Sequence, residues 1–391
     1  MKPSTSFGFI ALLMALVLLA TMKIQYEHLK MDLQRYSSTA SQRVLRSELE
    51  GLPRGIVEAT SDMDLKPLSK ISRSKDRSNN YSALLAMAVG ISQKENVDRI
   101  VSKVHTRSHT FVVSSERSFF ITRIANTYNA CSLAQFLMEN FAVILFHYDG
   151  NVDGWHDLEW SNKAIHILAR SQTKWWFAKR FLHPDVVSVY DYIFLWDEDL
   201  GVENFHPGRY LEIMSSEELE ISQPALDPEL SSDIHHRITV RNKLVKVHRR
   251  VYGLRGSVNC TDESKGPPCT GWVEGMAPVF SRAAWRCVWH LIQNDLIHGW
   301  GLDMKLGYCA QGDRTRKVGV IDSEYVVHQG IPSLGGLSVR KERGRPMDLR
   351  IQQIRRQSTA ELKKFKERWN QAVREDDEWT DPFDDFAREN V

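Results

Sequence analysis

Continuous apolar runs mark the clearest predicted strands of the chain. They cover residues 84–89, 141–146 and 192–196, and their length and bulk are typical of strands that are buried on both faces. Weaker apolar segments predict further strands at residues 219–222, 273–280 and 318–321. The six segments together supply enough strands for one large sheet.

Segments with apolar residues at helical spacing alternate with these strands. We expect Asn96 to cap the first predicted helix, which carries Val97, Ile100, Val101 and Val104 on one side. Other helices are predicted at residues 174–181, 283–297 and 303–309. This alternation predicts an α/β fold, with a mainly parallel, Rossmann-like sheet and helices on both of its faces. In such sheets, ligands bind beyond the carboxyl ends of the strands.

The amino-terminal 22 residues predict a transmembrane helix. No charged side chain lies between Lys2 and Lys23, and residues 7–22 are almost entirely apolar. A helix of about 20 residues is long enough to cross a bilayer. We interpret residues 1–22 as an uncleaved signal anchor, because Thr21 and Met22 do not fit a signal-peptide cleavage site; a secreted, cleaved form is the alternative. Only the short arm at residues 1–6 precedes the apolar part of this segment, and every domain-sized segment follows it. We therefore expect a single-pass type II protein whose body lies in the secretory lumen.

The rest of the chain divides by composition. Residues 23–80 are polar and predict a stem or linker, residues 81–340 predict the folded body, and residues 341–391 predict a charged helix and an acidic tail. Ser358 and Glu361 have the spacing of a capping box for that helix. The acidic cluster around Trp379 and Phe383 is interpreted as a solvated terminus, with a docking peptide as the alternative.

Two further features favour a lumenal body. The segments that begin at Asn80 and Asn259 both fit the N-glycosylation pattern. Of the five cysteines, Cys260 and Cys269 bracket a short Gly/Pro loop, as a loop-closing disulfide would. No two cysteines have C-x-x-C spacing, so the sequence does not indicate a thiolate zinc site.

Composition and motifs narrow the possible functions. A hydrophobic fraction of 42% is sufficient for a sizeable core, and a net charge of +2 indicates no nucleic-acid partner. The chain contains no G-x-G-x-x-G, no G-x-x-x-x-G-K-[ST], no G-x-S-x-G and no H-E-x-x-H segment. Dinucleotide-binding dehydrogenases, P-loop enzymes and the serine hydrolases and zinc proteases with those motifs therefore have no support.

The first candidate site is the acidic triplet that follows the strand at 192–196. Asp197 and Asp199 are two residues apart, so in an extended chain both side chains point to the same side. Paired carboxylates bind Mn²⁺ or Mg²⁺ and leave coordination positions for the phosphates of a substrate. The alternative is a solvated turn after a strand.

Further candidates lie at other predicted strand ends and loops. Trp300 lies between two glycines and could stack on an acceptor, and Asp303 could act as a general base or simply cap a helix. His328 could complete a metal site or have a structural role. Asp149 is a lesser candidate for ribose or base contact, and His235, His236 and Arg237 are candidates for phosphate binding.

Taken in order, these segments resemble the GT-A glycosyltransferase plan. The resemblance rests on the strand that ends in the acidic triplet, the E-G-M-A-P-V-F segment at 274–280, the W-G-x-D segment at 300–303 and the closing histidine. Residues 147–150, 174–181, 192–199, 222–226 and 299–303 more closely resemble a plant family of unknown function labelled lysine-ketoglutarate reductase trans-splicing-related. This likeness covers residues 84–370, but the sequence does not support the reductase that the label implies.

The GT-A resemblance implies a function and roles for individual residues. Asp197 and Asp199 would match the metal- and diphosphate-binding positions, Asp303 the acceptor-activating base, and His328 the last metal ligand. The implied activity is metal-dependent transfer from a nucleotide-sugar donor to a glycan or other hydroxyl acceptor, in the Golgi. The alternative is a non-catalytic lumenal protein that keeps the fold for carbohydrate binding or scaffolding.

Residues 105–135 depart from the pattern of the plant family. Other members have a short loop there, whereas this chain has about thirty residues rich in Ser, Thr and Arg, including Cys131. We interpret this segment as either a surface insertion or a retained intron. Sequencing the transcript across it distinguishes the two.

Overall fold

The computed structural model describes residues 22–23, 49, 51–58, 82–105, 141–232, 234–255, 257–331 and 349–385. The chain divides into two compact units, Met1–Glu50 and Gly51–Val391, and the sheet and helices described belong to the second. The predicted anchor, apart from Met22, lies outside the described residues, as do Asn80 and residues 106–135 of the predicted insertion. Within the described residues, no helix has both the length and the apolar character needed to cross a membrane.

The second unit has a mixed α/β fold. Its strands are β1 Ala83–Val89, β2 Phe141–His147, β3 Ile165–Leu168, β4 Tyr192–Trp196, β5 Leu200–Gly201, β6 Ile221–Leu226, β7 Val247–His248, β8 Gly253–Arg255, β9 Val258–Cys260, β10 Val279–Ser281 and β11 Val318–His328. Its helices are α1 Arg54–Glu58, α2 Lys94–His105, α3 Lys174–Phe181, α4 Pro207–Ser216, α5 Arg282–Leu291, α6 Asp303–Leu306, α7 Arg314–Lys317, α8 Leu349–Glu375 and α9 Pro382–Asp385.

The main sheet is mostly parallel, as the sequence predicts. Its order is β3-β2-β1-β4-β10-β6-β11, with β5 and β7 pairing antiparallel to β11. Only β10 runs antiparallel within the row, between β4 and β6. The chain proceeds from β1 outward to β2 and β3, and then returns to β4 on the other side of β1. The sheet therefore has a topological switch point between β1 and β4, where open α/β sheets bind their ligands.

Helices cover both faces of this sheet. On one face, alternate β1 residues such as Leu85 and Met87 pack in the core cluster that contains Val97 and Ile100 of α2. On the other face, Phe177 of α3 stacks on Phe146 of β2, with ring centroids 4.8 Å apart. The apolar spacing recognised in the sequence of α2 thus matches the face that it buries.

Several element boundaries differ from the predicted ones. The helix α2 begins at Lys94, so Asn96 lies inside it and does not cap it. The strand β6 extends through Pro224 to Leu226, β10 contains only the end of the predicted segment at 273–280, and α5 ends at Leu291. The strand β11 continues to His328, which the sequence placed in a loop.

The carboxyl-terminal helix is longer than predicted. Ser358 lies in the interior of α8, where its hydroxyl donates to the Ile354 carbonyl, so it does not cap the helix. Glu361 instead accepts the backbone N–H of His298, at 2.8 Å. Within the acidic tail, Phe383 is buried against Tyr308, with ring centroids 4.9 Å apart, whereas Asp377, Glu378 and Asp384 are exposed.

Part of the predicted stem belongs to the folded unit. Residues 51–58 include α1, whose Ile56 is fully buried. Arg54 of this segment pairs with Asp376 beyond α8, with Nε and carboxylate oxygen 2.8 Å apart. The amino-terminal and carboxyl-terminal segments of the unit are thereby joined.

Two disulfides occur in the described residues. Cys260 pairs with Cys269, the two residues that bracket the Gly/Pro loop. Cys287 of α5 pairs with Cys309, just after α6, and this pairing was not anticipated from the sequence. Paired cysteines are typical of proteins that fold in an oxidising compartment.

Candidate active site at the carboxyl edge of the sheet

The acidic triplet lies at the topological switch point of the sheet. Asp197, Glu198 and Asp199 follow β4 directly, and Gly90 follows the neighbouring strand β1. The backbone N–H of Gly90 donates to Glu198 Oε2 at 2.7 Å. The middle carboxyl group of the triplet therefore ties together the two strand ends that define the switch point.

Glu198 has a structural role, because it connects the segments that follow β1, β2 and β4. It is only 2% exposed, and it also accepts the hydroxyl of Tyr148, which follows β2. Burial raises the pKa of Glu198 to about 8, although the bonds from Tyr148 and Gly90 act in the opposite direction. Asn96 holds the same turn, because its amide donates to the Glu198 carbonyl at 2.6 Å. Sequence reasoning missed this network, since its members come from four separate segments.

Asp197 is paired with a lysine from helix α3. Lys174 Nζ lies 2.5 Å from Asp197 Oδ1 and also donates to the carbonyls of Gly275 and Met276. The Asp197 side chain is 41% exposed, yet desolvation raises its pKa, against the lowering effect of Lys174. The exposed part of the Asp197 side chain is accessible to a ligand.

Asp199 is brought against His328. The imidazole Nε2 lies 3.3 Å from Asp199 Oδ2, which also accepts the backbone N–H of Ile331 at 3.0 Å. His328 Nδ1 is 2.8 Å from the Ser232 carbonyl, which can only accept, so Nδ1 carries a proton. Desolvation lowers the pKa of His328, but the bond to Asp199 and its charge outweigh this effect and raise the pKa.

The three predicted metal ligands already take part in ion pairs: Asp197 is paired with Lys174, and Asp199 and His328 are paired with each other. Among the described residues, no group of three or more His, Cys, Asp or Glu side chains is arranged to hold a metal ion. The donor types nevertheless fit Mn²⁺, because Asp197 and Asp199 offer oxygens and His328 offers a nitrogen. A metal-binding histidine commonly donates its second N–H to a backbone carbonyl, as His328 does to Ser232.

Asp303 is the first residue of helix α6. Its Oδ1 accepts the backbone N–H of Met304, at 3.0 Å. Desolvation raises the pKa of Asp303, while the charge of His236 acts to lower it. The ring of His236 in turn lies 4.5 Å from that of Trp272. A carboxylate with a raised pKa is a suitable proton acceptor near neutral pH.

The loop before Asp303 contains two glycines in a backbone conformation that other residues rarely adopt. Gly299 and Gly301 have φ of +69° and +94°, which places both in the conformation that favours glycine. Trp300 between them is 46% exposed and presents its indole to solvent. The predicted tight loop is therefore present, with an aromatic side chain available for a ligand.

Glu274 is a site residue that sequence reasoning missed. Its side chain is 8% exposed, and Oε2 has no hydrogen-bond partner within the described part of the chain. Burial raises its pKa to about 7; His328 and Lys174 act to lower it, while Asp303 and Asp197 act to raise it. These interactions place Glu274 in one region with the acidic triplet and Asp303. Only the E-G-M-A-P segment carried a signal, through its resemblance to GT-A proteins.

The raised pKa of Glu274 predicts a dependence of stability on pH. The group ionises near 4.5 in the unfolded chain and near 7 in the folded protein. The unfolded state loses its proton first, so this group lowers the free energy of unfolding by about 3 kcal/mol as pH rises from 4.5 to 7. We expect Glu274→Gln to remove this contribution to the slope of the free energy of unfolding against pH, as measured by urea unfolding between pH 5 and 8. Identical slopes in both proteins would contradict the assignment.

Gly299 offers a second test of the site's packing. A Cβ at this position would lie 2.3 Å from Trp175 Cδ1, so Gly299→Ala should displace the helix end that carries Lys174. Gly312→Ala is the matched control, because Gly312 has φ of +93° but its Cβ would have no contact closer than 3.7 Å. Thermal unfolding should show a loss larger by about 1–3 kcal/mol for Gly299→Ala. Equal losses would mean that the contact with Trp175 has no cost.

Other predicted residues have different surroundings. Asp149 accepts the backbone N–H groups of Ile91 and Asn151, so its carboxylate supports the turns after β1 and β2. His235 is exposed. Asn259 is exposed on strand β9, where a glycan could be attached.

The fold and the site define an α/β protein with a cluster of carboxylates at the switch point of a mostly parallel sheet. The chain belongs to the family described as protein of unknown function (DUF707), whose model matches residues 43–115 and 123–375. The interruption between the two matched segments lies inside the predicted insertion at 105–135. The chain matches no curated protein at a significant level of similarity.

Proposed function

We propose that the protein is a metal-dependent glycosyltransferase that uses a nucleotide-sugar donor. The observation that carries this proposal is the meeting of Asp197, Asp199 and His328 at the switch point, with Glu274 and Asp303 nearby. The mostly parallel sheet and the position of the triplet after β4 agree with the GT-A plan that the sequence resembles. The acceptor is a glycan or another hydroxyl compound.

Each residue has a role that follows from its surroundings. Asp197, Asp199 and His328 would hold Mn²⁺ or Mg²⁺, which would supply positive charge to the departing diphosphate. Lys174 fixes Asp197 and the backbone at Gly275, and thereby keeps the carboxylate oriented. Asp303 would accept the proton of the incoming hydroxyl if the reaction inverts the sugar, and Trp300 would contact the acceptor.

The proposed location is the lumen of the secretory pathway, with the Golgi as the expected compartment. The two disulfides, Cys260–Cys269 and Cys287–Cys309, support an oxidising environment. The apolar segment at 1–22 would anchor the chain in the membrane, and the exposed Asn259 is available for glycosylation.

The test is a panel of nucleotide sugars incubated with purified full-length protein and Mn²⁺. We expect release of nucleotide from one donor and none from the others, with loss of the activity in Asp197→Ala. Release that is equal in wild type and Asp197→Ala would contradict the role of the triplet. A circular dichroism spectrum of the variant shows whether it is folded.

A non-catalytic carbohydrate-binding or scaffold protein is the second candidate. It is favoured by the ion pairs that engage Asp197 with Lys174 and Asp199 with His328. Binding of a glycan without nucleotide release from any donor would support this candidate over the enzyme.

A further inference from the structure

Glu274 is fixed in position by its backbone. Its N–H donates to Gln223 Oε1 at 2.5 Å, and Gln223 is itself buried in strand β6. The carbonyl of the next residue, Gly275, accepts from Lys174 Nζ at 2.6 Å. A Cβ on Gly275 would touch the Trp175 ring at 3.4 Å, so the chain is also supported from that side. The backbone that carries the carboxyl group is therefore held in a defined place.

The side chain is buried but incompletely bonded. More than nine-tenths of Glu274 is buried, and Oε2 finds no hydrogen-bond partner among the described residues. An unpaired buried carboxyl oxygen costs about 1–3 kcal/mol or more. Native proteins satisfy nearly all such groups, so an exception inside a candidate site calls for an explanation. A ligand that supplied a donor would remove the cost.

The neighbours of Glu274 locate it within the proposed site. The charges that act on its carboxyl group come from Asp197 and Lys174 near the diphosphate end, from His328, and from Asp303 at the acceptor end. In a transferase, the transferred group must lie between the leaving diphosphate and the attacking hydroxyl. Glu274 is thus placed beside the region that this group would occupy.

We propose that Glu274 binds a hydroxyl group of the sugar carried by the donor. This inference rests on the proposed function and assigns the sugar-recognition residue of the same site. A sugar hydroxyl would donate to Oε2 and satisfy the buried oxygen. A donor without that hydroxyl would leave the carboxyl unpaired, and sites of this kind reject such analogues strongly.

The test compares a bare nucleotide with its sugar conjugates. Full-length protein with Mn²⁺ is titrated calorimetrically with UDP, UDP-glucose and UDP-galactose, and with GDP and GDP-mannose. We expect wild type to bind one sugar conjugate more tightly than its bare nucleotide. Glu274→Ala should reduce the gain in affinity that the sugar provides by about 10- to 100-fold, the range for a hydrogen bond to a charged group. The affinity for the bare nucleotide should be unchanged.

Two further variants make the result specific. Glu274→Gln keeps an acceptor oxygen and should retain part of the gain. Glu220→Gln is the matched control, because Glu220 is also partly buried and its pKa is raised, but it precedes β6 at the opposite edge of the sheet. This control should behave as wild type.

The possible failures are distinguishable. If Glu274→Ala keeps the full gain from the sugar, the inference is overturned and the proposed function stands. If Glu274→Ala weakens binding of the bare nucleotide as much as binding of the sugar conjugate, Glu274 acts on the diphosphate region and the sugar assignment is wrong. If wild type binds no bare nucleotide, the proposed function fails, and this inference fails with it.

Discussion

Asp303→Asn should lower the rate of sugar transfer by about 10²- to 10⁴-fold, the usual contribution of a general base. Desolvation raises the pKa of Asp303, which suits it to accept a proton near neutral pH. The asparagine oxygen can still accept the backbone N–H of Met304, so the start of α6 should be preserved. The rate is measured with the donor found in the panel and a saturating acceptor, and donor affinity is expected to change little.

Asp313→Asn is the matched control for this variant. Asp313 caps the short helix α7, where its Oδ1 accepts the backbone N–H of Thr315 at 2.9 Å. Its replacement tests whether loss of a carboxylate at a helix start is enough to lower activity. A wild-type rate in Asp303→Asn, or an equal loss in Asp313→Asn, would contradict the assignment of Asp303 as the base.

Lys174→Met should clearly lower the free energy of unfolding. The Lys174 side chain is 9% exposed, and its ammonium group contacts Asp197 and the carbonyls of Gly275 and Met276. Breaking a buried ion pair costs about 3–5 kcal/mol, but Asp197 is 41% exposed, so we expect a loss of about 2–3 kcal/mol. Urea unfolding at pH 7 measures the change.

Lys94→Met is the matched control, because it removes a lysine from an ion pair at the surface. Lys94 pairs with Asp157, whose side chain is 69% exposed, and such surface pairs contribute about 1 kcal/mol or less. Lys174→Met should also lower nucleotide release, because Asp197 would lose the group that orients it. A loss of stability no greater than that of Lys94→Met would show that Lys174 does not hold the site together.

The bounds of helices and strands were predicted most accurately where apolar residues form unbroken runs. The strands β1 and β4 and the helix α3 begin and end within one residue of the predicted bounds. Each has a bulky apolar pattern that determines its burial without help from distant residues. The position of Asp197 and Asp199 at a strand end followed from the same pattern.

Elements whose geometry depends on distant residues were predicted less well. Strand β6 contains Pro224, which cannot donate a backbone hydrogen bond to a neighbouring strand, but every residue of this strand is buried in the sheet. Conversely, the segment at 273–280 was predicted as one strand, and only its end pairs with β4 and β6. The carbonyls of its middle part bond to Lys174 instead, about a hundred residues away in sequence.

The same reason limits what could be predicted of the site. Asp197, Asp199, Asp303 and His328 stand at strand ends or loops, so their residue types and positions were sufficient to nominate them. Glu274 was missed because no local pattern shows that a side chain is buried without a partner. The Tyr148–Glu198 contact likewise depends on the adjacency of β1, β2 and β4 in the sheet.

Calorimetric titration of the full-length protein with Mn²⁺ and then with UDP or GDP tests whether the acidic triplet binds metal and nucleotide. We expect wild type to bind Mn²⁺, bound Mn²⁺ to strengthen nucleotide binding, and Asp199→Asn to weaken both. Absence of Mn²⁺ binding and of nucleotide binding in the folded wild-type protein would contradict this expectation.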